Sequence, residues 1–571
     1  MATEYPTAPT PSATSRETSL RIIAIQCAST LAFMVIAAII LWIGDGQQLG
    51  MIRKYYTPWV AYGTRLWPLV AVMAASLAYA YITTRTMQRL RSRFVRTWHV
   101  NIVVLVTSGF ILSLLVVWVL RAYPNSGDEY AYIFQAETFM TGRLWSSLPL
   151  NHELFSFNHI FEKDNKWVTE FPPGWPLLLA VTRLGFLPFW LTCPLLSGAL
   201  LLLMARYCFR QSGHSGAIVA LALIVPSPFF LFNAASFFSH VPAALFGLLF
   251  CYQALIFLET PRIRPAFLAG VALGMLGLIR PFDFVFFALP FIADFFWRAH
   301  WKHWKLTPVI ILAGMPFLTA YLLYNAEITG HPSLPVVEWG YPQLKLGWNP
   351  VDETGAIHNM SETLRAGASR LVAFVEWTSP LLAIAYCPSL VWGAIRRRLS
   401  FADFVFPATV AAFLIYPSTG GNSYGPRYYF DAYPLLIATV TASASALMRT
   451  RWRLWVRSLV AAHVIMCLIS LIVCAIFFRR IVDERMDLED LARARNLHSA
   501  VVIVRSGTGV IRPFEGPLDL VRNSPDLSQD IIFALDFPQR LEDLRQMFSD
   551  RTFYVYQRAQ GSPRGELIPL R

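Results

Sequence analysis

Apolar runs of roughly 17 to 25 residues recur along most of this 571-residue chain, and that pattern leaves few folds open. Each run can cross about 30 Å of hydrocarbon as a helix. Inside hydrocarbon only helices and closed barrels satisfy every backbone polar group. Composition agrees, because hydrophobic residues reach 55% while charged residues stop at 15%, well under the ~25% usual in soluble domains. A soluble enzyme, a disordered chain, a collagen-like chain and a disulfide framework are excluded.

The spans read as 20–43, 58–83, 99–120, 188–206, 216–233, 241–258, 266–279, 282–297, 306–326, 371–395, 401–417, 430–448 and 456–478, about thirteen crossings. The stretch Pro176 to Phe186 is apolar but short, and reads as an interfacial helix. The net charge of +13 would suggest nucleic acid on a soluble chain. Here the basic residues gather in short connections, such as Arg85 to Arg96, Arg206 and Arg210, Arg396 to Arg398, and Arg449 to Arg457. Such clusters mark cytoplasmic ends of spans, so the surplus is a topology signal and no nucleic-acid partner is expected. The seven cysteines have no CxxC spacing and read as small buried hydrophobes.

With a cytoplasmic N-terminus, residues 1–19 form a disordered leader rich in Thr, Pro and Ser, and loops 121–173, 327–370 and 418–429 fall outside the membrane, as does everything after 478. In that tail 500–505, 530–536 and 552–556 read as strands, and 483–495 and 538–548 as helices. The expected fold class is therefore an all-α polytopic membrane protein with about thirteen transmembrane helices and a small C-terminal α/β extracytoplasmic domain.

Four polar features stand where spans end. Ser126-Gly127-Asp128-Glu129-Tyr130-Ala131-Tyr132 puts two carboxylates at the rim, either as a reactive pair or as the first turn of a helix running to Met140. Thr169-Glu170-Phe171-Pro172-Pro173-Gly174-Trp175-Pro176 starts a helix after an extended approach, with Trp175 suited to the interface. Between them, His152, Glu153, His159, Glu162, Lys163, Asp164 and Lys166 form a polar cover. His240, and Arg280 with Asp283, sit at later span ends, where an interhelical hydrogen bond and snorkelling are the plain alternatives. Last, Thr419-Gly420-Gly421-Asn422-Ser423-Tyr424-Gly425-Pro426-Arg427-Tyr428-Tyr429 offers a guanidinium framed by glycines and tyrosines, well made to hold a phosphate at headgroup depth.

The order of these features resembles the GT-C superfamily of polyprenyl-phosphate-sugar-dependent glycosyltransferases. The similarity is to the branch holding protein O-mannosyltransferases and lipid A aminoarabinose transferases, and it covers about Ser126 to Leu447. The resemblance implies a catalytic Asp128 with Glu129 as neighbour, and a donor phosphate held by Arg427 and Arg280. His240, Tyr424, Glu170, Tyr132 and His159 complete the expected substrate site. Phe171 stands where relatives often carry a basic or tyrosine residue, which shifts the phosphate contact to the two arginines. The acidic pair follows the third span instead of the first, so residues 20–98 look like two additional N-terminal helices before a core at 99–478.

The implied reaction is attack of a hydroxyl on C1 of a polyprenyl-phosphate sugar, with Asp128 as base and inversion at C1. Burial of Asp128 beside Glu129 should raise the apparent pKa of one of them. The partners are then a lipid-linked donor, the bilayer, and a glycan, lipid or protein acceptor. No nucleotide, metal or other cofactor is expected. The compartment implied is a bacterial inner membrane, with the C-terminal 479–571 domain in the periplasm. The competing reading is a transporter or flippase of lipid-linked sugars, disfavoured by the lack of repeated halves.

Overall fold

The computed structural model describes residues 66–89, 98–298, 300–345, 351, 355, 357–414, 416, 423–505, 517–559, 562 and 564–570. The N-terminal leader, the first expected span and Thr419 to Asn422 lie outside the described residues.

The first helices among the described residues are α1 (Leu66–Arg89) and α2 (Trp98–Val119), after which the chain leaves the bundle for α3 (Gly127–Met140). A three-stranded antiparallel sheet follows, β1 (Ser146–Ser147), β2 (Ile160–Lys163) and β3 (Lys166–Thr169), in the order β1-β3-β2. The bundle resumes with α4 (Gly174–Leu184), α5 (Phe189–Ile224), α6 (Pro228–Ala234), α7 (His240–Glu259), α8 (Ile263–Ile279), α9 (Pro281–Trp297) and α10 (Thr307–Thr329). After the short α11 (Val336–Gly340) come α12 (Met360–Thr378), α13 (Pro380–Ile395), α14 (Ala402–Leu414), α15 (Tyr433–Leu447) and α16 (Arg453–Arg485).

Among the described residues five helical segments are long and apolar enough to cross a membrane: Asn101–Val119, Phe189–Ile224, His240–Glu259, His303–Thr329 and Arg453–Arg485. Ile263–Ile279, Ala402–Leu414 and Tyr433–Leu447 are shorter apolar helices. Two expected spans, 188–206 and 216–233, meet within α5, which breaks at Gly213 with φ +70° and ψ −162°, a conformation open essentially to glycine alone. The expected single span at 371–395 is sharply bent. It is two helices meeting at 110°, because Pro380 has no amide hydrogen to continue the ladder and Ser379 turns at φ +108°.

The C-terminal part carries α17 (Asp487–Ala494), β4 (Ala500–Val504), β5 (Ile531–Leu535), α18 (Leu541–Met547), β6 (Thr552–Gln557) and β7 (Glu566–Pro569), with sheet order β5-β4-β6-β7. β4 runs parallel to β5 and β6, so every β4 side chain is buried. Val501 and Ile503 pack on Tyr130, Phe134 and Trp167, joining this sheet to α3 and the smaller sheet. Val502 and Val504 face Leu488 and Ala492 of α17 instead. Polar ties reinforce the seam: Arg121 donates two 2.7 Å bonds to Asp490, and Tyr130 donates to the Asn523 carbonyl at 2.5 Å.

The start of α4 touches the end of α8 so closely that only glycine fits. A Cβ on Gly174 would lie 2.7 Å from the Leu278 carbonyl carbon and oxygen, both backbone atoms that cannot swing away. Gly174→Ala is therefore expected to cost about 1–3 kcal/mol, read as a lower thermal midpoint in detergent. Gly198→Ala is the control and should be near neutral, since its Cβ would meet only Phe110 at 3.8 Å.

Candidate functional site

The site begins at the N-terminus of α3. Ser126 is extended and its Oγ accepts the Glu129 N–H at 3.3 Å, the local signature of a helix start. Asp128 and Glu129 occupy the positive first turn, but successive residues on a helix point about 100° apart. Glu129 is fully buried, with Oε2 accepting the Asn125 N–H at 2.8 Å and Oε1 accepting the Phe237 N–H at 2.9 Å. Its carboxylate is an anchor between two parts of the chain. Asp128 faces the other way, on the side of α3 that also carries Tyr132 one turn later.

The anchored segment, residues 236–240 between α6 and α7, forms the floor. Trp175 donates its indole N–H to the Phe237 carbonyl at 2.7 Å and is fully buried, so the expected interfacial tryptophan is instead a strut beneath the site. The Phe238 ring lies 4.0 Å from the Arg427 guanidinium carbon. Ser239 Oγ sits 3.3 Å from the Tyr132 hydroxyl and accepts from Arg280 Nη1 at 3.4 Å. His240 is buried with Nδ1 2.9 Å from Asp431 Oδ1, a structural partner that sequence inspection did not supply.

Two arginines close the site from different helices. Arg427 Nη2 donates to Asp128 Oδ1 at 3.1 Å, joining residues 299 positions apart, while its buried Nη1 has no hydrogen-bond partner among the described residues. Arg280, which caps α8, donates from Nε to Asp283 Oδ2 at 2.6 Å and has Asp431 Oδ2 at 2.8 Å from the same nitrogen. Its Nη1 points to Ser239 and thus toward Tyr132. The structure therefore brings Asp128, Tyr132, Arg280 and Arg427 together. His159 and Glu170 form the adjoining wall, paired at 3.1 Å, with His159 beside the Phe171 ring that packs on Tyr132.

Tyr424 stands apart from that group. It is fully buried among the rings of Phe232, Phe238 and Phe478, where it supports the Phe238 side of the floor. Asp431 was missed altogether. An acid immediately before the apolar α15 was its available signal, since an ionisable group there must be paired to be tolerated.

Electrostatics separate the two acids of the motif. Burial opposes ionisation of Asp128, but the Arg427 guanidinium and then His159 outweigh it and hold the carboxyl below its ordinary range. Burial pushes Glu129 up to about 7 against the pull of the Phe237 and Asn125 amides. The raised member of the expected pair is thus Glu129, and desolvation is the main cause. Burial also works against a charged His159, yet Glu170 and Asp128 push it up to about 10. Among the described residues, no group of three or more His, Cys, Asp or Glu side chains is placed to hold a metal ion.

With this geometry in hand, comparison with solved structures is informative. ArnT from Cupriavidus metallidurans, in a crystal structure bound to undecaprenyl phosphate, aligns over 82% of this chain and 97% of its own length, with a TM-score of 0.52 at 13% identity. At that identity the likeness is one of fold. The apo form of the same enzyme aligns over 80% of this chain and 96% of its own, with a TM-score of 0.49 at 12% identity. The Archaeoglobus fulgidus oligosaccharyltransferase complexed with Zn and sulfate aligns over 71% of this chain and 60% of its own, with a TM-score of 0.44 at 13% identity. Neither a protein-family model nor a curated protein sequence matches the chain.

The His159 pairing has a pH signature. A histidine whose folded pKa lies above its unfolded value of about 6.5 adds stability that is complete below that pH. The contribution is lost as pH rises through about 10. His159→Gln should therefore lower the thermal midpoint at pH 6 to 8, and the wild-type and variant midpoints should converge above about pH 10.

Proposed function

We propose that this chain transfers a sugar from a polyprenyl-phosphate-linked donor to a hydroxyl acceptor, at the outer face of a bacterial inner membrane and with inversion at C1. The observation that carries the reading is the contact between Asp128 and Arg427, which joins a rim carboxylate to a guanidinium with one unpartnered nitrogen. Support also comes from the fold shared with ArnT, crystallised with undecaprenyl phosphate.

In this reading the acceptor hydroxyl hydrogen-bonds to Asp128, its oxygen attacks C1, and its proton passes to the Asp128 carboxylate as the new bond forms. The bond from C1 to the phosphate oxygen breaks, and its electron pair leaves with the lipid phosphate. Arg427 Nη1 and the Nη edge of Arg280 stabilise that growing negative charge. Because glycosyl transfer passes through an oxocarbenium-like state, the attacking oxygen becomes strongly acidic only as its new bond forms. A weak base then suffices, provided it is ionised beforehand. The low pKa of Asp128 meets that condition. Tyr132 and Ser239 orient the donor between the arginines, and the His159–Glu170 wall limits water.

The module at 479–571 is proposed to stand outside the membrane over α3. The acceptor is a glycan, lipid or protein hydroxyl, and mass spectrometry of envelope glycolipids and glycoproteins from cells lacking the chain would identify it.

In proteoliposomes supplied with polyprenyl-phosphate sugars, Asp128→Asn should fold normally and lose about 100-fold or more of transfer. Undiminished turnover would remove Asp128 from the mechanism, and movement of intact donor without glycosidic cleavage would favour a flippase. Removing the cation at position 159 should let the Asp128 pKa rise, so His159→Gln is expected to shift the acidic limb of the pH–rate profile to higher pH. An unmoved limb would separate His159 from the base.

A further inference from the structure

We propose that Asp283 and Asp431 share a single proton across Arg280, and that this proton keeps the pocket neutral enough to admit the lipid phosphate. The inference rests on the glycosyl-transfer reading above and adds two acids that reading leaves unused.

The geometry carries it. Both side chains are essentially inaccessible, at 1% and 0% exposure, and both approach one nitrogen of Arg280. A single Nε–H cannot satisfy two carboxylates. It is aimed at Asp283 Oδ2, while Asp431 Oδ2 lies 2.8 Å from the nitrogen without receiving the hydrogen. Asp283 Oδ1 is likewise buried without a donor among the described residues. The two carboxyl groups crowd the same nitrogen, at 2.6 and 2.8 Å. Two like charges that close, out of water and with one donor between them, cannot both persist. A proton held between them supplies the missing donor.

The surroundings offer little other compensation. His240 serves Asp431 Oδ1 through Nδ1, which a neutral tautomer does as well as a charged one. Tyr132 approaches Arg280 across Ser239, and Arg427, whose Nη2 is paired with Asp128, faces the same space. With both acids ionised, the Arg280 cluster carries one net negative charge. With the shared proton it is neutral, and the Nη edge of Arg280 can turn its full attraction on an incoming phosphate. Asp283 and Asp431 are then positioning residues, acting through Arg280, and phosphate affinity follows their protonation.

The test uses the full chain in nanodiscs with undecaprenyl phosphate as the probe. Infrared difference spectra should contain a carbonyl band from a protonated buried carboxylic acid that shifts in D2O. That band should change when the pair is altered by Asp283→Asn or Asp431→Asn, and should survive Asp128→Asn. In direct binding measurements wild-type affinity should fall about tenfold more than that of Asp431→Asn as pH is raised from 6 to 9; the ligand's own titration is common to both proteins. Asp431→Glu should restore the wild-type slope. If Asp431→Asn does not fold, Asp283→Asn carries both measurements. Absence of the band in the wild type, its persistence unchanged in both asparagine variants, or parallel affinity profiles would overturn the proposal. Neither readout requires turnover, so a protein that binds the lipid phosphate without transferring sugar would defeat the functional reading and leave this one standing.

Discussion

A buried carboxylate held by backbone amides, Glu129, keeps the candidate site in register. Its oxygens take the amide hydrogens of Asn125 and Phe237, tying the start of α3 to the segment between α6 and α7. The same Phe237 gives its carbonyl to Trp175, so one residue is pinned from two directions by side chains of α3 and α4. The following three residues meet, in order, Arg427, Arg280 and Asp431. If the anchor slipped by one residue, each of these contacts would face the wrong partner. The energetic logic is that unpaired amides and an unsatisfied carboxylate are each costly in a dry interior, and here each removes the cost of the other.

Charge is distributed around that floor as paired opposites. Asp128 with Arg427, His159 with Glu170, and Arg280 with two acids leave little uncompensated field at the opening. Low dielectric makes such pairs strongly coupled, so a group entering the site redistributes every one of them. This explains why adjacent residues of one motif behave so differently. Asp128 feels two cations, whereas Glu129 feels mainly desolvation and backbone dipoles.

Much of this was legible in the sequence where a pattern is local. The three strands 500–504, 531–535 and 552–557 fall on the alternating or wholly apolar runs expected of them, and α3 runs from Gly127 to Met140 as its cap and first-turn acids imply. The order of motifs also suggested that Asp128 and Arg427 belong to one site. What could not be read depends on tertiary position. Trp175 has the composition of an interfacial residue, and only the seating of α4 on α8 makes it a strut. Tyr424 lies in a glycine-rich loop, yet the rings of Phe232, Phe238 and Phe478 enclose it. The break at Ser379 had a signal in Glu376, Thr378 and Ser379 before Pro380, but the apolar stretches on either side are long enough to read as one run. Asp431 needed its two partners, one from α7 and one from the end of α8, to acquire meaning.

The distance along the chain between Asp128 and Arg427 has a consequence for biogenesis. During synthesis the acid emerges 299 residues before its cation, and Asn523, which grips the Tyr130 hydroxyl, later still. Throughout that interval the nascent chain lacks the counter-ion and the buttress for α3, so the rim carboxylate waits hydrated and ill-fixed. Assembly of the site therefore waits for the last segments to arrive.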